Sequence, residues 1–408
     1  MADSVAILDV LLYGEPIGTL TRFSDDRTLF AFDASYIADS ARPTLSLGFK
    51  DSLGGLITDH RAVQTRLMPF FSNLLPEGHL RRYLAERAGV SSEREFFLVW
   101  ALGQDLPGAL SIRSANADSW PRTESSSSMA QIQSDENVLR FSLAGVQLKF
   151  SAVEEARHSL TIRANGVGGS WIVKLPSREF QGVPENEYSM MTLARLVGID
   201  VPPVKLVDVG AIGNLPGGLG TLQGNAFVIE RFDRLKDGSS VHIEDFAQIF
   251  RVYPHDKYRK ASYVNIASVI AAEGSASDVA EFVRRLTFNA LIGNADMHLK
   301  NWSMIYPDRR SAALAPAYDF VSTVGYLDDE SAALTVSRTK RFDQFTEDEL
   351  SHLADRARLP RTLVIDTARE TVSLFREQWM ANKKHLPLTK HIIGKLEAHL
   401  ATVPLAKR

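Results

Sequence analysis

Residues 114–137, SANADSWPRTESSSSMAQIQSDEN, divide the chain. Rich in serine and charge and short of aliphatics, this stretch cannot bury enough apolar surface to offset the entropy of ordering itself. No single core can run through it, so separate folding units are expected on either side. The length of 408 residues agrees with that division, because one core rarely grows past about 250 to 300 residues.

Composition narrows the class. Hydrophobic residues make up 45% and charged residues 23%, as in a globular protein. No apolar run reaches the length of a membrane span, and MADSVAILDVLLYG carries acids where a secretory signal carries bases. The expectation is a cytoplasmic protein with no membrane contact. The absence of cysteine excludes a disulfide framework and a thiolate metal site. A net charge of -3 argues against nucleic-acid binding by bulk electrostatics, so DNA contact would be local or made by a partner.

The first unit, residues 1–113, reads as a small α+β module. SVAILDVLL and YGEPIGTL predict two strands across a Gly-Glu-Pro turn, and TLFAFD a third. TRLMPFFSNLLPEGHLRRYLAERAGV then has apolar residues at helical spacing, with Pro76 as a start signal. SEREFFLVWALGQDLPGAL repeats that design. The runs NLLPEG and GQDLPGAL bring no nucleophile and base together and read as turns and caps.

The second unit begins with a β-rich lobe, residues 138–240. LRFSLAGVQLKFSAV and LTIRANGVGGSWIVKLPS alternate as strands do, and place Lys149 and Lys174 on strands. A nucleotide lobe needs a loop over the phosphates and a strand lysine to neutralise them. Ser142 to Gln147, with Ala144, Gly145 and Val146 between, can supply the loop, and Lys174 the charge. Lys174 also fits a lysine at a strand edge with its head in water. In PENEYSMMTLARLVGI, Glu187 is placed to hold that lysine, or to interact with the helix dipole. AFVIERFDRL runs a strand into Glu230, Phe232 and Asp233, a polar hinge where adenine and ribose would be met. A Walker loop is absent, which disfavours a P-loop enzyme.

Residues 241–408 read as a helical lobe, starting with a helix over HIEDFAQIF. It holds the densest chemistry in the chain, GNADMHLKNWSMIYPDRRSAALAPAYDF. Asp296 is followed five positions later by Asn301, and Asp319 follows a strand-turn-strand interval. Phosphoryl transfer needs this set: an acid for the attacking hydroxyl, then an amide and a second acid for the metal ions. Two other readings use the same residues. Asp and Asn cap turns, and Asp296 with His298 forms an Asp-x-His pair of the kind that binds zinc or iron.

Taken in order, SLAGVQLK, WIVKLP, NEY, VIERFDR, IGNADMHLKN and AYDF, behind a module with NLLPEG and GQDLPGAL, resemble the HipA family of serine/threonine protein kinases. These are the toxins of type II toxin-antitoxin pairs. The resemblance implies an α+β, two-lobed protein-kinase-like fold after the N-terminal module, using ATP and Mg2+. It makes Asp296 the catalytic aspartate, Asn301 and Asp319 the magnesium ligands, and Lys174 the phosphate contact. Glu230, Phe232 and Asp233 would hold adenine and ribose, with Ala144, Gly145, Val146, Gln147, Lys149, His298 and Lys300 among the nucleotide contacts. Ser142 matches the serine that family members autophosphorylate; a phosphate there adds about two charges beside the loop and could expel it. The implied partners are a small HipB-like helix-turn-helix antitoxin, operator DNA through that antitoxin, and an aminoacyl-tRNA synthetase as substrate, whose phosphorylation arrests growth. Leu148, where family members often carry a charge, and the long linker depart from the pattern. A non-catalytic co-repressor subunit and a small-molecule kinase are the competing functions.

Overall fold

A computed structural model describes residues 6–87, 89–115, 149–154, 160–162, 169–177, 179–215, 222–327 and 331–407. The expected linker therefore lies almost wholly outside the described residues.

The N-terminal module is built on an antiparallel sheet of β1 (Ile7–Leu12), β2 (Glu15–Arg22), β3 (Arg27–Phe32), β4 (Val63–Gln64) and β5 (Leu110–Ser114), in the order β4-β3-β2-β1-β5. The first hairpin turns at Tyr13 and Gly14, both with positive φ (55° and 83°), and not at the expected Gly-Glu-Pro. Two left-handed residues match the twist of the flanking strands, which lets Glu15 and Pro16 pair as strand. The helices are α1 (Ala34–Ala38), α2 (Pro69–Ser72), α3 (Gly78–Arg87) and α4 (Glu95–Leu102). The single helical run expected after Thr65 is thus two helices, and NLLPEG is the corner between them. Phe30, Phe49, Phe70, Phe71, Phe96 and Phe97 fill the core between sheet and helices.

The β-rich lobe contains β6 (Lys149–Glu154), β7 (Leu160–Ile162), β8 (Trp171–Lys174), β9 (Val204–Asp208), β10 (Ile212–Gly213) and β11 (Asn225–Glu230), in the order β10-β7-β6-β8-β11-β9. Helix α5 (Val183–Leu196) packs on β9 and β11. The period of two along β11 divides its side chains between two cores. Ala226 and Val228 face the small core of the lobe, while Phe227 and Ile229 join the large core of the helical lobe.

That last lobe opens with a strand where a helix was expected. β12 (His242–Asp245) pairs with β13 (Ser303–Tyr306), which pairs with β14 (Ala313–Leu314). Helix α6 (Phe246–Ile249) begins only after Asp245, because Asp245 and Gln248 form a capping box there. Helices α7 (Tyr263–Glu273), α8 (Ala276–Ile292), α9 (Glu347–Ala357), α10 (Arg361–Asn382) and α11 (Lys390–Leu400) complete the lobe. Phe288 of α8 stacks near Phe320 and Phe375, with ring centroids 5.2 and 5.8 Å away, fixing α8 and the Asp319 segment against α10. Among the described residues no helix is long and apolar enough to cross a membrane.

Candidate active site

Helix α8 ends at Gly293 in the left-handed conformation, φ 62°, and the chain turns directly into Asn294–Asn301. A Cβ at Gly293 would stand 2.5 Å from Cγ1 of Val324, so only glycine fits this turn. Short polar side chains hold the loop that follows. Thr323 Oγ1 accepts from the N–H of Ala295 and donates to the carbonyl of Gly293, both at 2.8 Å. Buried Asn294 accepts from the N–H of Asp296 at 3.0 Å and donates to Asn289 Oδ1 at 2.8 Å and to the carbonyl of Asp319 at 3.4 Å. One amide therefore ties the Asp296 loop to the Asp319 loop.

Asp296 itself accepts from the hydroxyl of Tyr258. Asn301, five residues on, donates its amide to the backbone carbonyl of Asp296 at 2.9 Å. Burial pushes the Asp296 carboxyl up to about 6; the Tyr258 hydrogen bond and Lys257 pull it down, and Asp319 pushes it up again. The two acids are near enough to influence each other.

Across the groove, β8 delivers Lys174 and α5 delivers Glu187, and Lys174 Nζ donates to both Glu187 Oε1 and Asp319 Oδ1. Lys149 of β6 lies 4.0 Å from the other oxygen of Asp319. Burial opposes the charge on Lys174, but Asp319 and Glu187 outweigh it and keep the ammonium firmly protonated. Burial would raise Asp319, yet Lys174 and Lys149 hold it well below the usual carboxylate range. Glu187 is more deeply buried, and burial lifts it to about 7 against the pull of Lys174. Asp319 has φ 60°, a left-handed conformation that costs a non-glycine residue about 1 kcal/mol.

Other expected site residues have different neighbours. Asp233 is buried and both its oxygens are engaged, by Arg231 at 3.0 and 2.9 Å, by Arg234 at 2.9 Å and by the N–H of Gly108 at 2.8 Å. Arg231 and Arg234 also reach Asp105, each at 3.0 Å. Asp233 therefore bolts the hinge to GQDLPGAL of the N-terminal module, where the sequence suggested a ribose contact. Phe232 stacks on Tyr318 with centroids 5.9 Å apart. Glu230 ends β11, half-buried. The His298 ring is buried edge-on to Tyr258, centroids 4.9 Å apart, and burial keeps it neutral with its pKa pushed down to about 3. Lys300 turns away to Glu77 at 3.0 Å and the carbonyl of Asn73 at 2.9 Å, both in NLLPEG. Ser142, Ala144, Gly145, Val146 and Gln147 lie outside the described residues.

The oxygen donors Asp319 and Asn301 suit a small hard cation, which takes one or two protein carboxylates and fills its remaining positions with phosphate and water. Among the described residues no three of His, Cys, Asp and Glu group as metal ligands, so the Asp296 and His298 pair finds no third partner of that kind. Sequence reasoning missed Asn294, Thr323 and Tyr258. It also read NLLPEG and GQDLPGAL as local turns, whereas they reach the chain beside the Asp296 loop and the hinge. The signal available was two polar corner motifs in one module, with no local use for Glu77 or Asp105.

A β-rich lobe over a helical lobe, with the groove between them closed by Lys174, defines a two-lobed protein of the protein-kinase-like class. The HipA N-terminal domain family matches residues 8–113, and the HipA-like C-terminal domain family matches residues 141–379. The chain belongs to the HipA family of serine/threonine kinase toxins. It is 55% identical to the putative kinase Y4dM of Sinorhizobium fredii, over 98% of each chain. It is 26% identical to the serine/threonine-protein kinase toxin HipA of Shewanella oneidensis, over 84% of this chain and 82% of that one. The Shewanella oneidensis HipA solved with HipB and its operator DNA superposes with a TM-score of 0.73, at 23% identity, covering 98% of this chain and 96% of that one. At that identity the likeness speaks to the fold.

Proposed function

We propose that the protein is an ATP- and Mg2+-dependent protein serine/threonine kinase, the toxin of a type II toxin-antitoxin pair, with Asp296 as its catalytic aspartate. The observation that carries this reading is the bridge from Lys174 to Glu187 and Asp319, which joins a phosphate-type lysine of one lobe to a metal-type carboxylate of the other. A lysine kept charged in a buried groove suits nucleotide phosphates. Asp296, raised to about 6, is poised near neutrality to hold a substrate hydroxyl and take its proton as that oxygen bonds to the phosphoryl group. Asn301 and Asp319 would hold Mg2+, which supplies positive charge to the phosphate oxygens when bound.

The substrate class inferred from the family resemblance is an aminoacyl-tRNA synthetase, with growth arrest and persistence as the outcome and Ser142 as a site of self-inactivation. A small helix-turn-helix antitoxin on operator DNA is the partner, supported by the assembly in which the Shewanella oneidensis relative was solved. The acidic net charge fits a chain that leaves DNA contact to that partner.

The test is incubation of purified protein with labelled ATP, Mg2+ and a cell lysate, beside Asp296→Asn. Label should appear on a protein serine or threonine with the native chain and vanish with the variant. Undiminished label with Asp296→Asn would remove Asp296 from the chemistry. Growth arrest by both chains would favour a non-catalytic role.

A further inference from the structure

The carboxylate of Glu77 belongs to the N-terminal module, outside both lobes, yet it fastens the chain on either side of Asp296. Glu77 Oε2 accepts from Lys257 Nζ at 2.8 Å, and Oε1 lies 3.0 Å from Lys300 Nζ. Both ammonium groups are largely shielded, at 6% and 15% side-chain exposure, and Lys300 donates in addition to the carbonyl of Asn73. Asn73 is fixed in turn, its amide donating to Val252 at 2.7 Å and to Pro69 at 2.8 Å. Lys257 precedes Tyr258, whose hydroxyl donates to Asp296. Lys300 precedes Asn301, whose amide donates to the Asp296 carbonyl, and its own carbonyl accepts from Tyr318, the neighbour of Asp319, at 3.0 Å. The two lysines hold Glu77 ionised, down at about 2 in spite of its burial.

Attachment of the module does not depend on this carboxylate. Ser46 and Leu47 bind Glu244, Asp105 binds Arg231 and Arg234, and Lys50 binds Glu273. What Glu77 provides is a shared counter-charge for two lysines beside the Asp296 loop. Without it the ammonium groups repel each other, and the carboxylates left to attract them include Asp245, which feels Lys300, and Asp296, which feels Lys257 and which the reaction needs free.

We propose that Glu77 is a positioning residue for phosphotransfer: through Lys257 and Lys300 the N-terminal module sets the placement of Asp296 and Asn301. This rests on the kinase reading above. The two remain separable, because loop order can be read without any reaction.

The experiment compares the full-length native chain with Glu77→Gln and Glu77→Asp by three measurements: steady-state phosphotransfer, thermal melting, and amide hydrogen exchange over residues 294–302. For Glu77→Gln we expect kcat to fall about tenfold or more while KM for ATP moves less than about threefold, since misplacement of the acid leaves the nucleotide grip intact. Exchange over the loop should rise by more than in the rest of the chain, melting should fall modestly as two shielded ammonium groups lose their counter-charge, and Glu77→Asp, which keeps the charge, should recover most of kcat. A Glu77→Gln chain with native loop exchange overturns the proposal, whatever its activity. So does a loss of kcat that merely follows a lowered melting temperature and is not recovered by Glu77→Asp. A native chain that transfers no label sinks the kinase reading, and loop exchange then still decides whether Glu77 orders the segment.

Discussion

The side-chain amide of Asn186 satisfies both backbone groups of Ser322, donating to its carbonyl and accepting from its N–H, each at 3.0 Å. Asn186 stands beside Glu187 on α5, and Ser322 follows Asp319 by three residues. The helix of one lobe is thus clamped to the Asp319 segment of the other, which sets the span that Lys174 bridges. Asn186→Ala would leave a buried N–H and C=O without partners, at a cost of about 3 kcal/mol. Urea unfolding should show a lower midpoint with an unchanged slope.

Lys174→Met leaves Glu187 and Asp319 facing each other with no buried counter-charge, and should cost about 3 to 5 kcal/mol of stability. Phosphotransfer should fall about a hundredfold or more through loss of the phosphate contact. The double variant Lys174→Met, Glu187→Gln separates the two effects: the melting temperature should largely return and the activity should not.

Stability should also respond to pH through Glu244. Its carboxylate accepts from Ser46, Tyr306 and the N–H of Leu47, but burial outweighs these bonds and lifts it to about 7. The folded pKa is above the unfolded value, so the folded protein binds the extra proton. Stability from this group is complete below about pH 4.5, is lost as pH rises to about 7, and amounts to about 3 kcal/mol. Denaturation series at pH 5 and pH 7.5 on the native chain and Glu244→Gln should show the native chain losing more, with the difference attributable to this carboxylate.

Gly293→Ala tests the turn out of α8. The new methyl group meets Val324 at 2.5 Å in a left-handed conformation, so a loss of about 2 kcal/mol is expected. The same displacement should carry into the Asn294–Asp296 segment and lower phosphotransfer beyond the loss of folded protein. Equal activity per folded molecule in variant and native chain would contradict that coupling.

Much of this was legible in the chain itself. Strand alternation placed Lys149 and Lys174, helical spacing placed Glu187 on α5, and the density of polar groups from Asp296 to Asp319 marked the segments that carry the acids. What escaped was the use of single polar side chains over long separations. Nothing local distinguishes Glu77 or Asp105 from a turn residue, because their partners Lys257, Lys300, Arg231 and Arg234 stand far away in the chain. The strand at His242 escaped for a related reason. Its partner β13 lies beyond the Asp296 loop, about sixty residues on by the pairing of His242 with Tyr306, and HIEDFAQIF carries no local sign of that pairing. The partners of Asp233 escaped too, because in sequence a hinge aspartate looks the same whether it turns to a nucleotide or, as here, pairs with two arginines.

The left-handed backbone at Asp319 bears on how such a protein can decay over generations. Asparagine and glycine occupy that conformation at least as comfortably as aspartate. Either replacement would strip the carboxylate from the groove while leaving the chain path untouched. On the kinase reading, a lineage could in this way become a pseudoenzyme in one step, its chemistry gone and its architecture kept.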